Sequence, residues 1–257
     1  MNGESTPVSS LMGGSVFAHH ISAADIVLGS TGRVSPIKAA KASIVHYNAA
    51  FNCAETPSER AQALQAKGVA QHVIGDLDFA QMTLEKALQE APQLKMGLIA
   101  RIMRDLALVN ADVAIMHSFS KDIMSRVAAS EEAGILFFQS IEAFKESGES
   151  SARAEVLVTK AYSVATLCIL TTEHSIRKAY RQDLAKLTAQ IGKLRPRRYD
   201  DHFLAVSLRL KCESVIKQLG LAPISTHLSD KCGHGGGMRG LFVSARIIDN
   251  PYLRRLG

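Results

Sequence analysis

Residues 60–92 read RAQALQAKGVAQHVIGDLDFAQMTLEKALQEAP, and their pattern decides the fold. Ala61, Leu64, Gly68 and Val69 recur at helical spacing before the pair Gly75-Asp76. Phe79/Ala80, Leu84, Ala87 and Leu88 do the same after it. Each run is an apolar stripe with a period near 3.6. Gly75 is placed to end the first helix, because glycine reaches φ > 0 without steric cost. Asp76 is placed to cap the second with its carboxylate, and Pro92 to stop it. Gly68 lies inside the first helix, where it costs about 1 kcal/mol relative to alanine. A glycine kept there points to close approach by another backbone.

This glycine, alanine and proline register resembles a tetratricopeptide repeat, a 34-residue helical hairpin. From Ala61 to Leu94 the matching positions are Leu64, Gly68, Gly75, Ala80, Leu84, Ala87 and Pro92. Gln71 stands where the family usually has an aromatic residue. The match weakens over residues 95–128: Leu98 and Ala114 fall in register, but Ile102 and Asp105 take the glycine and aromatic positions. The register predicts a second, divergent unit with helices near 95–110 and 112–128. An antiparallel hairpin of an ordinary bundle is the competing reading.

The rest of the chain extends the helical series. Residues 1–35 are rich in glycine, serine and small side chains and read as mostly irregular, with room for a short helix at 16–28. Ser35-Pro36 opens a helix at 36–54 carrying Ile37, Ala40, Ile44, Tyr47 and Phe51, and Ser58 is placed to cap the run that follows. Further helices are expected at 131–147 (Ile135, Phe138, Ile141, Phe144), at 152–171 after a capping serine, at 174–192 and at 201–219. The run at 152–171 is nearly all apolar and belongs in a centre. About nine helices in series over residues 36–219 predict an all-α protein, an α-solenoid of antiparallel hairpins. Residues 220–257 form a basic, glycine-rich tail.

Composition narrows the function classes. The chain has 257 residues, 47% hydrophobic and 5% aromatic, with abundant alanine suited to close-packed helices. No apolar run approaches the roughly 18 residues that a membrane span needs. Early basic residues and a continuous apolar core, the marks of a secretory signal, are missing. Cys53, Cys168, Cys212 and Cys232 are far apart and form no CxxC, which suits reduced thiols in an intracellular protein, cytoplasmic or nuclear. The net charge of +6 is uneven: residues 193–257 hold 12 Lys/Arg against 5 Asp/Glu, and residues 1–192 hold 18 against 19.

No active site emerges from the residues. His227, Asp230, Cys232 and His234 are types that zinc accepts, but HLSDKCGH has no paired knuckle and no metal is assigned. GHGGGMRG lacks the lysine and the strand–helix setting of a phosphate loop. The scattered histidines accompany no GxSxG. A non-enzymatic protein without cofactor is therefore expected. The basic stretch Lys193–Arg198 leaves nucleic acid as a rival partner, though stacking aromatics are few.

The family resemblance implies binding of a protein or peptide on a concave face lined by the first helix of each unit. In this register the lining positions are Gln65, Val69, His72 and Val73, then Met96, Ile99, Met103, Leu106 and Ala107. Leu98 and Ile102 would turn toward the second helix of their own unit. Gln65, Val69, His72, Met96, Ile99 and Met103 are the expected partner-binding residues. The lysine and asparagine set with which some family members clamp a peptide carboxylate is not there. The same residues serve equally well as core under a neighbouring helix.

Overall fold

A computed structural model describes residues 15–29, 35–90, 94–120 and 122–191. Eight helices follow one another: α1 (Val16–Gly29), α2 (Pro36–Asn52), α3 (Pro57–Ile74), α4 (Leu77–Gln89), α5 (Met96–Ser120), α6 (Ile123–Glu146), α7 (Ser150–Leu170) and α8 (His174–Ile191). No strand occurs among the described residues. The expected helix at 201–219, the tail at 220–257 and Pro92 lie outside them.

Local chemistry accounts for the helix ends. Ser35 Oγ accepts from the Lys38 amide at 3.4 Å, and Pro36 occupies the first turn of α2. At α3 the cap is Thr56, not Ser58. Thr56 Oγ1 accepts from the Glu59 amide, and Glu59 Oε2 accepts from the Thr56 amide in return. That reciprocal box satisfies donors that the helix leaves free, and Pro57 fills the first position. Gly75 ends α3 with φ of 96°, the left-handed geometry expected of it. Asp76 precedes α4, but its side chain makes no capping bond, so the expected carboxylate cap is absent. Likewise α7 begins after Glu149, with no side-chain cap, rather than behind a capping serine.

One expectation about helix extent is corrected. Residues 95–128 do not form a hairpin. One 25-residue helix, α5, runs through Asn110 and Ala111 without a break, and α6 begins at Ile123. No glycine or proline lies between Ile99 and Ser120 to stop α5, so its ladder simply continues. The short helix for which residues 16–28 had room is α1, and its Phe17, Ile21 and Leu28 pack with Tyr47 of α2. Among the described residues, helical packing thus starts at Val16. Tyr47, almost fully buried, donates its hydroxyl to Asp25 Oδ1 of α1 at 3.2 Å.

The principal contacts join each helix to its chain neighbour, plus α3 to α5 and α5 to α7. The largest core gathers Leu84 of α4, Leu106 and Val109 of α5, Phe137 and Phe144 of α6, Val156 of α7 and Leu184 of α8. Side chains of this size stabilise by about 1.5–3 kcal/mol each when fully buried. The nearly apolar α7 sits against α5, α6 and α8, as its sequence suggests. On α6 half of the expected stripe is buried, Ile141 and Phe144, and its first half is displaced. Leu136 and Phe137 are in the core, whereas Ile135 and Phe138 are exposed.

Candidate functional site

An apolar groove of about 270 Å³ runs along the seam of α2, α3 and α4. Its residues share faces at helical spacing. Asn48 and Phe51 come from α2, Ala63, Leu64, Lys67 and Gln71 from α3, and Phe79, Met82, Thr83 and Lys86 from α4. Gly68 sets the depth of approach between two of the walls. A Cβ there would lie 2.7 Å from Leu84 Cγ and 3.4 Å from the Ala80 carbonyl oxygen, so α4 seats on α3 where α3 has no side chain. The partner backbone expected from the mid-helix glycine is therefore that of α4.

The groove combines an apolar surface with positive charge. Phe79 and Met82 are 61% and 64% exposed, although the sequence pattern offered Phe79 as part of the buried stripe beside Ala80. Ala80 is the buried member of that pair, and one residue of rotation, 100°, separates it from Phe79. Lys86 Nζ stands 5.3 Å from the Phe51 ring centroid, a cation–π contact that holds the ammonium at the groove. Neither Lys67 nor Lys86 has an ion-pair partner among the described residues. No acidic residue lines the groove. Gln71 Oε1 is buried and accepts no hydrogen bond.

The sequence-predicted partner residues are not gathered at this groove. Gln65 and His72 turn from α3 to α5. Gln65 Nε2 donates to Asp105 Oδ2 at 2.8 Å, and His72 Nε2 meets Asp112 Oδ2 at 2.5 Å. Val69 is half-buried between them in sequence. Met96 is 42% exposed, Ile99 half-buried, and Met103 packs against the main core. Leu98 and Ile102 are buried with Ala61, Leu64 and Ala87 of α3 and α4, rather than turned to a second helix of their own unit. The discontinuity follows from α5 being one long helix.

The α3–α5 contact is a polar layer whose charges are internally matched. Asp105 is almost wholly buried, and its second oxygen accepts from Arg104 at 2.9 Å. Both carboxylate oxygens are thus satisfied, as burial of a charge demands. Asp112 differs. Its side chain is 32% exposed, yet desolvation by the surrounding chain pushes its carboxyl up to about 7. His72 is buried, and its Nδ1 has no partner. The pair can share a proton, but no Ser, Cys or Thr hydrogen-bonds to it among the described contacts. Among the described residues, no three His, Cys, Asp or Glu side chains are placed to hold a metal ion. His227, Asp230, Cys232, His234 and the basic stretch at 193–198 lie outside the described residues.

Lys67, Lys86, Phe51, Phe79 and Met82 were not picked out by sequence as site residues, Phe51 and Phe79 being read only as members of helical stripes. Phe79, Met82 and Lys86 did carry a signal, being at i, i+3 and i+7 on α4. What the sequence withheld is that α2 leaves this face of α4 uncovered. Compared with protein-family models, with curated proteins and with solved structures, the chain finds no match in any of the three.

Proposed function

We propose that this chain is a non-enzymatic interaction protein, a tetratricopeptide-like α-solenoid that holds a partner protein or peptide and needs no cofactor. The order of helix contacts supports the solenoid. Chain neighbours pair, and α3, α5 and α7 meet in succession, the pattern of stacked hairpins. The observation that carries the binding reading is the open groove of α2, α3 and α4, with Phe79 and Met82 exposed beside it. Large apolar side chains grouped at a concavity mark a surface that gains by being covered. Among the described residues Cys53 and Cys168 form no disulfide, which supports work in a reducing compartment inside the cell. No described helix is long and apolar enough to cross a membrane.

A photo-crosslinking residue at Met82, compared with one at the exposed Glu146 of α6, tests this reading in extracts of the native source. The expected result is a discrete protein adduct at Met82 only, lost when Phe79→Ser is added. Identical adducts at both positions, or none at Met82, would overturn it.

A further inference from the structure

We infer that the occupant of the α2–α3–α4 groove is an acidic amphipathic peptide segment, its apolar side chains on Phe51, Phe79 and Met82 and its carboxylates on Lys67 and Lys86. This rests on the binding reading above and adds the chemistry of the partner. Three independent observations converge on it.

The first is charge. Both lysines stand at the groove without an ion-pair partner among the described residues, and none of the described lining residues is Asp or Glu. Elsewhere in the described chain three arginines are matched across helix contacts: Arg60 with Glu90, Arg101 with Glu149 and Arg126 with Glu173. An ammonium brought toward an apolar wall loses part of its hydration, and an incoming carboxylate replaces it. Lys86 is moreover already held over the Phe51 ring, so less side-chain freedom is lost on binding.

The second is shape. The lining is a strip of helical faces, Leu64, Lys67 and Gln71 of α3 beside Phe79, Met82 and Lys86 of α4. Such a strip fits side chains repeating along an amphipathic segment. A compact metabolite would touch only part of it. The third is the side-chain amide oxygen of Gln71, Oε1, a groove-lining residue whose oxygen is buried and has no donor among the described residues. A peptide N–H or a side-chain hydroxyl from the occupant would relieve it.

The same charges argue against the chain's own tail as occupant. Residues 193–257 hold 12 Lys/Arg against 5 Asp/Glu, and like-charge juxtaposition with Lys67 and Lys86 is unfavourable.

The test is a displayed library of random 16-residue peptides selected on the full chain. Recovered peptides should carry net negative charge with apolar residues at helical spacing. As fluorescein-labelled synthetic peptides they should bind Lys67→Glu/Lys86→Glu at least tenfold more weakly than wild type. Melting temperatures should agree within about 4 °C, since neither lysine has an ion-pair partner among the described residues and Lys86 loses only its cation–π contact with Phe51. Recovery of neutral or basic peptides that still lose affinity on Phe79→Ser would overturn the acidic assignment and leave the binding reading standing. Recovered peptides indifferent to all three changes would remove the groove as the site. A library yielding no enriched peptide would count against the binding reading itself. Should the charge reversal unfold the chain, Lys67→Met/Lys86→Met supplies the comparison, with the same tenfold loss expected.

Discussion

Gly68 of α3 faces Leu84 of α4 so closely that a Cβ at residue 68 would stand 2.7 Å from Leu84 Cγ. Leu84 is fully buried, so its side chain has little room to withdraw. Gly68→Leu should destabilise the protein by roughly 1–3 kcal/mol through overpacking. Leu84→Ala alone should cost about 2–5 kcal/mol through the cavity it leaves. Adding Gly68→Ala to Leu84→Ala should then cost less than adding it to wild type, because the new methyl enters vacated space. Urea midpoints for the four proteins of the cycle give the coupling. Strict additivity would mean that the two residues do not touch.

The two ends of the anchor hairpin should respond differently to loss of a side-chain oxygen. Thr56 accepts from the Glu59 amide at 3.2 Å and receives the reciprocal bond, whereas Asp76 makes no capping bond. Thr56→Ala should lower stability by about 0.5–2 kcal/mol, the usual range for a lost N-cap. Asp76→Ala should leave the midpoint almost where it was. A larger loss at Asp76 than at Thr56 would reverse the cap assignment.

Asp112 gives stability a pH dependence of definite sign. Its carboxyl titrates near 7 in the folded chain against an ordinary value of 3.8, because burial disfavours the charged form. The folded state therefore binds this proton more tightly than the unfolded state. The contribution of Asp112 is complete below about pH 4 and is lost as pH rises through about 7. Asp112→Asn keeps the shape and an acceptor for His72 but cannot titrate. Wild type should lose more stability than Asp112→Asn between about pH 5 and about pH 8, read from denaturation midpoints. Parallel pH profiles would return the carboxyl to its ordinary range.

The legible parts of the fold are those written in local chemistry. Ser35-Pro36, Gly68 and Gly75 each allow few backbone arrangements, and each sits where its chemistry requires. Misreadings came where a choice was left to tertiary contacts. A 34-residue register carried past Pro92 placed a turn near residue 111, though nothing there breaks a helix, and α5 runs on. On α6, Ile135 and Phe138 form as good a helical face as Leu136 and Phe137, and only the position of α5 and α7 decides between them. The groove was hidden for the same reason. Three helices contribute to it, and no one of them reads as a site. The burial of Asp105 was equally illegible: Arg104 is its chain neighbour, but Gln65 reaches it only once α3 lies on α5.

The stripe Met96, Ile99 and Met103 lies on one face of α5 but passes from surface to core along its length. Met96 is 42% exposed, Ile99 half-buried, and Met103 packed against the main cluster of α4 to α8 side chains. A charge at the two ends should therefore act in opposite ways. Met96→Glu adds a solvated carboxylate in the first turn of α5, where the helix dipole favours negative charge. Its melting temperature should stay within about 2 °C of wild type, since exposed changes alter stability by about 0.5 kcal/mol or less. Met103→Glu forces a carboxylate against apolar neighbours, where it either protonates or disrupts the packing. It should lower the melting temperature by at least about 10 °C, and the loss should shrink at low pH, where the new carboxyl is neutral. Met103→Leu, which conserves volume, should cost less than about 1.5 kcal/mol. If Met103→Glu folds as well as Met96→Glu, the inner end of the stripe is open to solvent. The face expected from the repeat register would then be available to a partner along its whole length.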